Sequence, residues 1–152
     1  MRIEIILTGK SIDMTLNQVV KEIYRIALAQ KNVRYVGQGD LYKDLNSNPA
    51  LKYDIVYLTQ NQHQTVEGLD RYSFNIFYIS RLGDFDATNA LQIQSIGKEV
   101  IENIVRIFCE QYDADVYGTT YWQPFTQRFS DLTAGIYAQI TIEIAADTCI
   151  DE

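Results

Sequence analysis

The segment "GIYAQITIEIA" (residues 135–145) alternates without a break. Ile136, Ala138, Ile140, Ile142 and Ile144 fall on one face of an extended chain, and Tyr137, Gln139, Thr141 and Glu143 fall on the other. Side chains of a strand point alternately up and down, so this pattern demands a sheet with one covered face and one polar face. Burying the four isoleucines stabilises the fold by roughly 6–12 kcal/mol gross. The rest of the chain has to supply both the neighbouring strands and the cover.

Two segments carry helical spacing. Leu16, Val19, Val20, Ile23 and Ala27 recur at steps of three and four, behind a Thr15–Gln18 capping box. They predict an amphipathic helix over 16–31, with Asn17, Lys21, Arg25 and Gln30 outward. Leu91, Ile93, Ile96, Val100, Ile104, Val105, Phe108 and Tyr112 predict a longer one over 88–112, about 37 Å in length. Gly97 lies inside it and costs about 1 kcal/mol against alanine, which close packing on a sheet would explain.

The strand signals lie between and around these helices. "RIEIIL" near the start reads as a short strand or arm within residues 1–14. Val33, Tyr35, Gly37 and Gly39 suggest a strand ending in a turn, and "SNPALKYD" reads as a loop. "YDIVYLTQ" (53–60) and "RYSFNIFYIS" (71–80) are rich in β-branched and aromatic residues. The polar stretch between them predicts an antiparallel hairpin with a long loop over 59–70. Residues 116–129 read as a strand or extended loop broken at Pro124. The expected class is α+β: one domain over 1–152, an antiparallel sheet with two helices on one face, and a long β-hairpin loop.

At 152 residues with 47% apolar content, the chain has the length and composition for one hydrophobic core. A net charge of −7 without a basic run argues against gripping nucleic-acid phosphates. No segment reaches the roughly 18 apolar residues of a membrane span, and the start lacks the apolar core of a secretory signal. These features fit a cytoplasmic origin. Cys109 and Cys149 are too few and too far apart for a disulfide framework or a zinc site.

Chemistry-bearing constellations are scarce, and the chain is expected to have no catalytic residues, metal or cofactor. His63, the single histidine, sits in "QNQHQT" and reads as an exposed loop residue. Serines 73, 80, 95 and 130 lack a nucleophile elbow. Asp84 and Asp86 precede the long helix, where carboxylates favour the positive end of the dipole. Asp113 and Asp115 follow it and leave a weak cation site open. "VGQGD" (36–40) lacks the third glycine of a dinucleotide fingerprint and the lysine of a phosphate loop, so it reads as a turn.

The aromatic content is more telling. Tyr117, Tyr121, Trp122, Phe125 and Phe129 fall in one stretch. Phe125 and Phe129 suit a core. Tyr121 and Trp122, flanked by Thr120 and Gln123, suit either a core or a contact surface, since Tyr and Trp are enriched where proteins meet.

The layout, with "VGQGDLYKDLN" (36–46), "KYDIVYLTQ" (52–60) and "FTQRFSDLTAGIYAQITIEI" (125–144), resembles the tail-terminator and head–tail connector ring proteins of tailed bacteriophages, including neck proteins of the crAss-like phages. The resemblance covers most of the chain and is mainly architectural. It implies a structural virion protein, assembled in the host cytoplasm, whose copies close into a six- or twelve-fold ring. Portal, adaptor or tail-tube proteins would adjoin that ring, and DNA would pass through it without specific binding. The resemblance also implies that the 59–70 segment reaches a neighbouring ring or the lumen. The expected contact residues are then Asn61, Gln62, His63, Gln64, Thr65, Tyr121, Trp122, Gln139 and Thr141. Glu67, Asp70, Asp84 and Asp86 are the expected acidic lining of the channel. Two other readings compete with this one: a small module that recognises a peptide by strand addition at a sheet edge, and an enzyme that uses His63.

Overall fold

The computed structural model describes residues 14–47, 53–82, 87–112, 115–117, 121–128 and 131–145. Residues 1–13 of the N-terminal arm, Asp84, Asp86, Asp113, Phe129, Ser130 and Cys149 lie outside them. The elements in chain order are α1 (Leu16–Leu28), β1 (Tyr35–Gln38), α2 (Leu41–Ser47), β2 (Ile55–Gln60), β3 (Gln64–Val66), β4 (Leu69–Arg81), α3 (Ala87–Gln111), β5 (Asp115–Tyr117), β6 (Gln123–Arg128) and β7 (Leu132–Ala145). The class is α+β, and the sheet is antiparallel except for one parallel pair, β1 with β2.

β4 and β7 form the spine. They pair antiparallel over 13 positions, from Leu69 opposite Ala145 to Arg81 opposite Thr133, a ribbon about 43 Å long. The strand order across the sheet is β1-β2-β4-β7-β5. β3 continues along the β4 edge beyond the end of β2, and β6 lies along β7 beyond β5. Pro124 sits opposite Ile136 in β6, a strand flanked by β7 alone among the described residues, where a missing N–H is tolerated.

The helices α1 and α3 cover one face. The inward positions of the last strand, Ile136, Ala138, Ile140, Ile142 and Ile144, are all buried. Four of them, the isoleucines, join Val56, Leu58, Phe74, Ile76 and Tyr78 from the sheet and Val19, Ile23, Ile26, Val100, Ile101, Ile104 and Phe108 from the helices in one core. Gly97 explains itself here. A Cβ at that position would stand 2.8 Å from Cδ2 of Tyr78 and 2.9 Å from Cγ2 of Ile136, so α3 lies against the sheet at a distance only glycine permits.

The capping box forms as the sequence predicts. Gln18 N–H donates to Thr15 Oγ1 at 3.2 Å, and Thr15 N–H donates to Gln18 Oε1 at 2.8 Å. α1 stops at Leu28, three residues short of its expected end. The backbone tightens there, with Ala29 N–H reaching Ile26 O and Gln30 N–H reaching Ala27 O, and the Gln30 side chain also donates to Ile26 O.

Two elements differ from expectation. The stretch expected as strand, turn and loop contains a third helix, α2, on the opposite face of the sheet. Asp40 caps it by accepting from Lys43 N–H at 3.1 Å. Leu41 and Leu45 of α2 pack with Ile55, Tyr57, Phe77 and Ile79 in a second core. The hairpin connection over 59–70 is shorter in its loop than expected. β3 pairs Gln64 with Arg71 and Val66 with Leu69, and Glu67 (φ 53°) and Gly68 (φ 80°) alone make the turn. Two positive φ angles in a two-residue loop match the twist of the flanking strands, which is why the connection closes tightly despite its polar composition.

Candidate interaction face

Among the described residues, the face opposite α1 and α3 is covered at one corner. α2 closes over β2 there, held by the Tyr57 hydroxyl, which donates to Asp44 Oδ2. Burial, with the Asp44 carboxylate beside it, raises the Tyr57 hydroxyl's pKa well above the ordinary tyrosine value, so it stays a donor. Beyond this corner, β2, β4 and β7 present Thr59, Ser73, Asn75, Tyr137, Gln139 and Thr141 on the side away from the helices.

Two open clefts meet at Asn75 and Tyr137; the first lies on this area, and the second runs over the β7 edge to Ala138 and to Trp122, which packs against the core under α1 and α3. One, of ≈ 590 Å³, is lined by Gly39, Asp40, Leu41, Tyr42, Thr59, Asn75, Phe77 and Tyr137. The other, of ≈ 560 Å³, is lined by Asn75, Tyr121, Trp122, Gln123, Tyr137, Ala138 and Gln139. Together they make a shallow trough of amides and aromatic rings with one carboxylate, Asp40, at its end.

The trough floor is internally organised. Gln139 Nε2 donates to Ser73 Oγ at 3.4 Å, and Thr141 Oγ1 donates to the same oxygen at 3.3 Å. Asn61 Nδ2 donates to Asn75 Oδ1 at 3.3 Å. The Tyr137 ring lies 4.6 Å from that of Phe77 and 6.3 Å from that of Phe125. These contacts tie the side chains of the floor to one another. At the rim, Tyr121 is 84% exposed and Tyr42 is 62% exposed. Trp122 is half-buried with the Lys98 ammonium 5.3 Å from its ring centre. Beyond Thr141, Arg71 and Glu143 form an ion pair at 2.6 Å across β4 and β7.

The expected contact residues separate into two groups. Tyr121, Trp122 and Gln139 line one cleft, with Thr141 beside it. Asn61 joins the floor through Asn75. Gln62, Gln64 and Thr65 are exposed along the hairpin arm instead. His63, expected as an exposed loop residue, is half-buried because its ring nitrogens complete the β4 edge: Nδ1 accepts from Ser73 N–H and Nε2 meets Gln60 Oε1. Of the expected channel acids, Glu67 is exposed in the tight turn, and Asp70 accepts from Thr65 Oγ1 at 2.7 Å. Asp84 and Asp86 are outside the described residues, as is Asp113, the first half of the weak cation pair.

Sequence reasoning missed Asn75, Tyr137 and the Asp40–Tyr42 corner. The alternation in β7 put Tyr137 on the polar face without distinguishing it. Asp40 before Leu41 was the one signal of a helix start.

Among the described residues, no three His, Cys, Asp or Glu side chains converge where they could hold a metal ion. No described helix is long and apolar enough to cross a membrane. Comparison with protein-family models and with curated proteins yields no match.

Proposed function

We propose that this chain is a structural subunit of a homo-oligomeric ring in the head–tail connector or tail terminator of a tailed bacteriophage, and that it works by fitting against neighbouring subunits and transforms no molecule. The observation that carries this reading is the open trough of amides and aromatic rings on the sheet face that the long helices leave uncovered among the described residues. Such a surface suits a protein neighbour: tyrosine and tryptophan give contact area, and neutral amides bond without the desolvation cost of charges.

A ring needs a heterologous contact, in which one patch of a subunit meets a different patch of the next. The chain offers two separate patches. One is the trough with Tyr121, Trp122 and Gln139. The other is the hairpin arm with Gln62, Gln64 and Thr65. The architectural resemblance to phage ring proteins supports this use of them. The net charge of −7 suits a subunit past which DNA must slide, since the sequence has no run of basic residues to hold phosphates.

The reading is tested by native mass spectrometry and electron microscopy of the full chain at rising concentration. A closed ring is expected. The strand-addition reading rests on β1, which stands at the end of the strand order with four residues. It predicts a stable monomer or dimer that captures extended peptides instead.

A further inference from the structure

We propose that His63 is a pH-sensitive latch that holds the hairpin arm against β4 only while its imidazole is neutral. The inference is independent of whether the chain forms a ring.

β2 ends with Gln60 opposite Phe74, and β3 begins with Gln64 opposite Arg71. Residues 61–63 therefore face only Tyr72 and Ser73 on β4, three residues against two, in the manner of a bulge. Regular ladder bonding fails across this gap, and Ser73 is buried within it. Its carbonyl accepts from Asn61 N–H at 2.8 Å. Its N–H donates to Nδ1 of His63 at 2.9 Å. The imidazole thus stands where a strand carbonyl would.

That geometry fixes the protonation state. Nδ1 accepts a bond from an amide, so it carries no proton. Nε2 then carries the proton and donates to Gln60 Oε1 at 2.9 Å. The ring is wedged between the side chains of Tyr72 (5.7 Å, edge-on) and Phe74 (5.6 Å).

Among the described residues, no charge around the ring favours the imidazolium. Tyr72 is the ionisable side chain in ring contact from β4, and its hydroxyl bonds to Met14 O and Asp70 Oδ2. Asp70 is also engaged by Thr65 of β3. Arg71 is paired with Glu143 of β7, and Gln60 of β2 is neutral. Burial pushes the His63 pKa below its ordinary value. A histidine whose folded pKa is lowered stabilises the fold fully above its unfolded value of about 6.5 and loses that contribution as pH falls below it. When Nδ1 takes up a proton, two donors face each other and the buried Ser73 amide loses its acceptor. The bulge opens and frees β3.

Because His63 is the single histidine, NMR of the full chain reads it without overlap. The expected result is an Nε2–H tautomer and a titration midpoint below the ordinary value. As the ring protonates with pH falling below the ordinary histidine value of about 6.5, Ser73 amide exchange should rise severalfold beyond its intrinsic pH dependence, while amides along the β4–β7 spine do not change. His63→Asn places an acceptor oxygen near the Nδ1 position and cannot protonate, so Ser73 should stay protected on both sides of that value. His63→Phe keeps the ring without the acceptor, so exchange should be fast on both sides. An Nδ1–H tautomer, a midpoint at or above the ordinary value, or an unchanged pH response in His63→Asn would overturn the latch. The wild-type and Asn measurements decide it even if the Phe variant fails to fold.

Discussion

The two faces of the sheet are built from the same strands and have opposite characters. On one, Ile136, Ile140, Ile142 and Ile144 of β7 disappear under α1 and α3. On the other, Tyr137, Gln139, Thr141 and Glu143 alternate with those same isoleucines, and among the described residues α2 alone covers a corner. The closed face carries the stability, because apolar area removed from water is the dominant favourable contribution to folding. The open face carries less of it, in the second core under α2, and beyond that corner is left available for contact. Substitutions on the two faces should therefore separate stability from association.

The largest effect belongs to the closed face. Ile140→Ala should lower unfolding free energy by about 2–5 kcal/mol in denaturant titration, since the side chain is 1% exposed and leaves a cavity between β7 and the helices. Next is Gly97→Ala, where the new methyl group collides with Tyr78 and Ile136. Overpacking there should cost about 1–3 kcal/mol even though alanine is the better helix former. A gain in stability would show that α3 sits further from the sheet than described.

A smaller effect belongs to the corner where α2 closes the second face. Tyr57→Phe removes the hydroxyl that donates to Asp44 and should cost about 1 kcal/mol, with faster amide exchange in α2 than in α1. The smallest belongs to the trough. Gln139→Ala and Thr141→Ala should shift stability by less than about 0.5 kcal/mol. A loss above that would mean that the Ser73 network is a stability element and not a surface for contact.

The closed face was readable in the sequence because burial imposes a period. β7 follows a period of two and the long helices follow 3.6, so their inward residues name themselves. Gly97 could also be read, as a helix-breaking residue that only close packing justifies. The open face was harder to read for the same physical reason. Polar positions such as Asn75, Gln139 and Thr141 look alike whether they meet water or a neighbour, because nothing in their spacing records what they touch. α2 has only seven residues, too few for periodicity to stand out beside the glycines of "VGQGD". β3 was hidden by its Gln-Thr composition, and the role of His63 was hidden because its partner is the backbone N–H of Ser73, which every residue but proline possesses.

Assembly state measured on the full chain and on Gln139→Arg tests the account most directly. The substitution sets a charge on the trough floor while leaving the closed face intact. The account predicts a closed ring for the wild type at high concentration, and folded monomers with unchanged thermal stability for the variant. A wild type that stays monomeric at every concentration, or a ring that persists in Gln139→Arg, would contradict it.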